Sequence, residues 1–199
     1  NFTYDRANRQ TMVQMPSVGD IRPTTQTAYD KAGRVICVTD PSGYQTHTEY
    51  DAAGRVIRTI DAEGISIQYT LDQAGNILRQ EVTPRTGAAQ ATAFSYDKLN
   101  RQLTETLNPG DGEFERVTAN EYDSRGNRVK RTQPNGAVTD YTYDAQNRLL
   151  SAVQAGAPEE TRSYTYNAAG TIVRVEEGNR ATAYTLDKLG RTVSERVYT

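Results

Sequence analysis

The chain has 199 residues, 36% of them hydrophobic, and its 23 basic and 25 acidic side chains leave a formal net charge of −2; mean hydropathy is −0.75. So small an apolar share argues against a conventional globule round one core, and charges interspersed along the chain give no overall attraction to nucleic acid or to an anionic membrane. The single cysteine, Cys37, excludes an intrachain disulfide, and no apolar run approaches the roughly 20 residues of a membrane helix.

Read from the N-terminus, one phrase recurs: an aromatic strand, Tyr-Asp, a Gly or Asn three residues later, then Arg and an aliphatic. Anchored on the acidic residue, nine units begin at Asp5, Asp30, Asp51, Asp72, Asp97, Asp123, Asp144, Asn167 and Asp187, at intervals of 25, 21, 21, 25, 26, 21, 23 and 20 residues. The fold class expected is all-β: consecutive antiparallel hairpins, about two strands per unit, as one array over 1–199. Asn1 is neither an initiator Met nor the start of a charged-then-apolar leader, and the chain is read as a segment of something longer.

Each unit opens with a strand of period two. Before the anchors stand Tyr4, Tyr29, Tyr50, Leu71, Tyr96, Tyr122, Tyr143, Tyr166 and Leu186; three before them, Phe2, Tyr69, Phe94, Tyr141, Tyr164 and Tyr184. Mostly small or polar residues lie between, which gives a strand with one apolar face. A turn follows. Asp suits its first position because the carboxylate accepts the N–H two residues on, and the position three later calls for positive φ. Asn8, Gly33, Gly54, Gly75, Asn100, Gly126, Asn147, Gly170 and Gly190 occupy that position in all nine units. Asp30, Asp51, Asp97 and Asp144 are therefore read as backbone caps and not as catalytic acids.

Arg9, Arg34, Arg55, Arg101, Arg148 and Arg191 come next, and an outgoing strand carries Ile36, Ile57, Leu78, Leu103, Val129, Leu150, Val173 and Val193. A second, looser turn then returns the chain at Asp40–Gly43, Asp61–Gly64, Asn108–Gly112, Gln133–Gly136 and Glu176–Gly178. Register within the first hairpin is open by one residue. A four-residue loop is preferred: it sets Tyr opposite Arg, the earlier aromatic opposite the aliphatic, and the guanidinium on the phenol ring.

The repeated Tyr-Asp-x-x-Gly-Arg-aliphatic phrase, from Phe2 to Arg191, resembles the YD or Rhs repeats of bacterial Rhs proteins, the C component of Tc toxin complexes and the extracellular part of teneurins. Leu71 and Leu186, Asn167, and Asn76, Asn127 and Thr171 depart from it. The resemblance implies a spiralling hollow β-shell that, in the Rhs and Tc branch, encloses a C-terminal toxin polypeptide. An open, curving sheet with little core is also what about sixteen to eighteen strands and few aliphatics imply.

Chemistry-bearing residues are sparse. His47 lies in a polar alternating strand with Cys37 far along the previous one, so no triad or metal set is expected; Cys37 among Val35, Ile36 and Val38 is read as a small buried hydrophobe. Asp61 with Glu63 is too short for a calcium loop. No enzyme activity, cofactor or metal is expected. The expected role is a structural wall segment around toxin or effector cargo, secreted or delivered to a cell surface. Its partners are further repeats and the cargo of its own polypeptide, and unprotected edge strands invite self-association. Rows of Tyr binding a glycan or cell-surface partner remain the alternative.

Overall fold

The structure, a computed structural model, describes residues 1–17, 19, 22–157 and 160–199. Among them are eighteen β-strands and no α-helix. Two compact units share the chain: Asn1–Arg101 with Thr106–Glu115, and Gln102–Glu105 with Arg116–Thr199.

The first unit is a meander of β1 (Phe2–Tyr4), β2 (Gln10–Gln14), β3 (Thr24–Tyr29), β4 (Val35–Thr39), β5 (Gln45–Tyr50), β6 (Val56–Ile60), β7 (Ser66–Leu71), β8 (Ile77–Thr83) and β9 (Gln90–Tyr96), each antiparallel to the next. After β10 (Gln102–Leu107), the second unit repeats the scheme with β11 (Arg116–Tyr122), β12 (Arg128–Thr132), β13 (Val138–Tyr143), β14 (Leu149–Gln154), β15 (Arg162–Tyr166), β16 (Ile172–Glu177), β17 (Arg180–Leu186) and β18 (Thr192–Tyr198). Sequence neighbours are thus spatial neighbours, as in other repeat architectures. Among the described residues only Ala181, 9% exposed, is buried; the other strand residues are half-buried or exposed. Neither unit has a packed core, so the stability of each rests on ladder hydrogen bonds and on links between adjacent hairpins.

The register differs from the preferred one. Tyr29 faces Val35, not Arg34, and a bulge between Ala28 and Tyr29 puts Ala28 opposite Cys37 and leaves Ile36 unmatched. The same bulge recurs with Tyr50 opposite Val56 and Tyr143 opposite Leu149. Accordingly Tyr69 faces Gln80 and Tyr141 faces Ala152, not the expected aliphatics. The physical reason is the left-handed residue. A type I turn that ends in positive φ closes as a bulged loop, with Asp and Arg as the closing pair, and this adds one residue to the outgoing side.

Two further expectations are corrected. The second turns at Asp40 and Asp61 are not looser: Gly43 N–H donates to the Asp40 carbonyl at 3.0 Å and Asp40 N–H to the Tyr44 carbonyl at 2.9 Å, the same frame as the first turns. The return after β16 is Gly178-Asn179, because Glu177 already pairs with Arg180.

Candidate functional site: a rim of interlocked turns

Nine turns share one frame. In each, the N–H of the anchor donates to the carbonyl four residues on, at 2.9–3.0 Å, and the Gly or Asn N–H donates back to the anchor carbonyl at 3.0–3.2 Å. That Gly or Asn has positive φ in every unit, from 59° at Asn8 to 95° at Gly75. Asn8, Asn100 and Asn147 sit near 60°, the left-handed well that Asn tolerates.

The anchor carboxylate closes the loop from inside. Asp30 Oδ1 accepts from the N–H of Ala32 and of Arg34, both at 2.9 Å, and Oδ2 accepts from Arg34 Nε at 2.6 Å. Asp51 with Arg55, Asp97 with Arg101, and Asp144 with Arg148 repeat this, with Nε to Oδ2 distances of 2.7, 2.6 and 2.5 Å. The Arg34 and Arg55 backbone N–H groups hold Asp30 and Asp51 below the usual carboxylate range, as those of Arg9, Arg101 and Arg191 hold Asp5, Asp97 and Asp187. At Asp72 and Asp123 the leading cause is the side-chain amide of Asn76 and of Asn127. At Asp144 burial pushes upward, and the Arg148 N–H and guanidinium outweigh it.

What joins one turn to the next was not legible in the repeat phrase. The guanidinium that closes its own turn also reaches forward: Arg9 Nη1 donates to the Asp30 carbonyl at 3.0 Å, Arg34 Nη1 to that of Asp51 at 3.1 Å, and Arg55 Nη1 to that of Asp72 at 2.6 Å. It lies on a tyrosine of the following unit: Arg9 on Tyr29 at 4.7 Å, Arg34 on Tyr50 at 4.6 Å, Arg148 on Tyr166 at 4.5 Å from the ring centre. The expected cation–π contact exists, but between hairpins and not across one.

The tyrosine before the anchor also reaches backward, whether or not an Arg lies on it. Tyr29 Oη donates to the Gln10 carbonyl at 2.8 Å, Tyr50 to Val35 at 3.0 Å, Tyr96 to Ile77 at 3.1 Å, Tyr122 to Gln102 at 2.9 Å, Tyr143 to Arg128 at 3.0 Å, and Tyr166 to Leu149 at 2.8 Å. The acceptor always lies two residues past the preceding Gly or Asn. One sequence signal for it existed: the residue before the anchor is Tyr in seven units and never Phe, whereas three before it both occur. A hydroxyl is needed at the first place and not at the second.

Where Arg is replaced, a shorter link forms. Asn76 Nδ2 donates to Asp72 Oδ2 and to Asn100 Oδ1, both at 2.8 Å, and Asn127 Nδ2 donates to Asp123 Oδ2 and to Asn147 Oδ1 at 2.9 and 3.0 Å. An Asn in the Arg place thus meets an Asn in the next left-handed place. Tyr141 plays another part, carrying Arg128 on its ring at 4.9 Å; Tyr164 lies opposite Val175.

The distance assumed between Cys37 and His47 is corrected. They are a cross-strand pair of β4 and β5, with Sγ 4.0 Å from Nε2, and Cys37 is half-buried. The sulfur and imidazole line an open concavity of about 750 Å³ with Ile60, Thr48 and Glu49. No group of three or more His, Cys, Asp or Glu able to hold a metal occurs among the described residues.

The RHS Repeat family matches residues 29–66, 50–89 and 122–159, each stretch running from a Tyr-Asp turn into the following hairpin. The chain belongs to the RHS-repeat family. No curated protein matches it by sequence. Among solved structures the RHS array is similar to the crystal structure of TcdB2-TccC3 (16% identity, 100% of this chain and 14% of that one, TM-score 0.47). It is also similar to the Photorhabdus luminescens Tc holotoxin pore (15%, 98% and 14%, TM-score 0.46) and to a porin-like protein from Bacteroides uniformis (15%, 94% and 92%, TM-score 0.42). The RHS array therefore spans about a seventh of the length of the Tc structures.

Proposed function

We propose that this RHS array is a stretch of wall in a larger β-shell that encloses a C-terminal toxin or effector polypeptide, in a protein secreted or delivered to a cell surface. The observation that carries the reading is where the repeat side chains go. Asp closes its own turn, Arg closes that turn and grips the next, and Tyr grips the one before, so the recurring residues serve the wall and present no convergent nucleophile, base and oxyanion donors. A sheet without a packed core serves as a partition better than as a catalytic scaffold.

The glycan-binding alternative requires free aromatic faces. Tyr29, Tyr50 and Tyr166 are covered by guanidinium groups and have their hydroxyls engaged, which weighs against it. Limited proteolysis of the natural full-length polypeptide tests the wall reading. The expected result is a C-terminal segment protected while the shell is intact and cut quickly once linking residues such as Arg34 and Tyr50 are replaced. Equal cleavage in both states defeats enclosure, and specific binding on a glycan array would favour the alternative.

A further inference from the structure

Along the eight junctions between anchors, Arg in the linking place precedes Tyr four times, Asn precedes Tyr twice, and Thr171 precedes Leu186. Only Arg55 before Leu71 sets the guanidinium in place without the ring. Arg55 is nonetheless held as Arg34 is: Nε lies 2.7 Å from Asp51 Oδ2, and Nη1 donates to the Asp72 carbonyl at 2.6 Å. Among the described residues no ring lies on it. The Val56 carbonyl lacks a ladder partner on the β7 side. There β6 pairs only from Arg58 onward, just as β4 pairs with β5 only from Cys37 onward and so leaves Val35 to the Tyr50 hydroxyl. An open space of about 390 Å³ lies between these groups, lined by Arg55, Val56, Thr59, Tyr69, Leu71 and Ile77.

We propose that this opening is a binding site for a phenol ring, which takes the place that the missing tyrosine leaves. The junction of Arg34 with Tyr50 supplies the pose. The ligand ring lies on the Arg55 guanidinium, as Tyr50 lies on Arg34 at 4.6 Å, and its hydroxyl donates to the Val56 carbonyl, as Tyr50 Oη donates to Val35 at 3.0 Å. Tyr69, Leu71 and Ile77 supply apolar surface round the ring. The guanidinium is already fixed by two anchors, so binding has little of the protein left to order. The hydroxyl gives the site its selectivity, because a phenyl group leaves the Val56 carbonyl without a donor. The place at Leu186 is the internal contrast: Thr171 stands before it, so no guanidinium awaits a ring there.

Neither cargo nor enclosure is needed for such binding, so its failure would leave the wall reading standing. The test is titration of the 199-residue chain with p-cresol and with N-acetyltyrosinamide, followed by NMR of the backbone amides. Saturable shifts centred on Arg55, Val56 and Leu71 are expected, with a Kd on the order of 1 mM, and none at Leu186. N-acetylphenylalaninamide, which keeps the ring and lacks the hydroxyl, should bind about fivefold more weakly than N-acetyltyrosinamide, the loss of one neutral hydrogen bond. Leu71→Tyr, which installs the residue that seven of the nine units carry, should fill the place and abolish binding. Tighter binding of N-acetyltyrosinamide than of p-cresol assigns the site to a tyrosyl side chain of a polypeptide, and the reverse order assigns it to a small free phenol. No shift at these residues up to about 20 mM of either ligand, equal affinity with and without the hydroxyl, or unchanged affinity in Leu71→Tyr overturns the proposal.

Discussion

Tyr50→Phe removes one oxygen and tests the link between hairpins at its simplest point. The hydroxyl lies 3.0 Å from the Val35 carbonyl in a half-buried setting, and the ring, which Phe keeps, carries Arg34 at 4.6 Å. A neutral hydrogen bond of this kind contributes about 1 kcal/mol net. Tyr50→Leu, the residue that occurs naturally as Leu71, also loses the cation–π contact, roughly 0.5–1 kcal/mol more, so its total is about 2 kcal/mol. If the chain unfolds cooperatively, these correspond to about 2–4 °C and 4–8 °C in Tm. Tyr69→Phe is the control: it lies in the next unit opposite Gln80, three before the anchor, and should change stability by less than about 0.5 kcal/mol. Urea unfolding followed by circular dichroism reads all three. Equal losses at Tyr50 and Tyr69, or none at Tyr50, would refute the idea that the hydroxyl before Asp carries the inter-hairpin bond.

Gly54→Val should cost about 1–2 kcal/mol in the same assay, because φ is 84° and a Cβ there meets Arg34 Nη1 at 3.4 Å, while Gly54→Asn should be milder; equal damage from both would point to volume and not dihedral. Leu71→Tyr should stabilise by about 1 kcal/mol, since an open space of about 390 Å³ between Arg55, Val56 and Leu71 can take the ring, with the Val56 carbonyl in the acceptor place; a lower urea midpoint would contradict this. The anchor carboxylates have folded-state pKa values below their ordinary one, so their contribution is complete above about pH 4 and is lost as pH falls through the folded values. The urea midpoint should accordingly be flat from about pH 5 to 7 and drop below about pH 4, and a midpoint unchanged to about pH 2 would show that the turns do not depend on ionised Asp. Residues 1–199 should hydrolyse no ester, peptide, glycoside or phosphate substrate; turnover abolished by replacing one named acid would reveal a site that the turn geometry hides.

The turns were legible because their cause is local. Asp with Gly or Asn three residues on specifies a backbone shape regardless of what surrounds it, and the dihedrals at Gly33, Gly54 and Asn147 follow directly. Register was less legible, because the extra residue at the bulge arises from how a left-handed closing position meets the outgoing strand. The links between turns could not be seen in one repeat phrase at all. Arg34 and Tyr50 belong to different units, and only the three-dimensional stacking of hairpins makes them partners. The same holds for Cys37 and His47, ten residues apart in sequence and side by side across two strands.

Among the nine units the closed turn from anchor to partner always spans five residues, as from Asp30 to Arg34, although the intervals between anchors run from 20 to 26. The variation is taken up in strand length and in the opposite connections, from the two residues Gly178-Asn179 to the nine between Gln14 and Thr24. Strand ends in each unit thus differ in evolutionary freedom. On one side insertion would pull an Arg away from the next carbonyl; on the other, added residues disturb no link. New loops, and whatever they recognise, can accumulate at the second connections while the spacing of the first stays fixed, so an RHS wall can change its outward chemistry without being rebuilt.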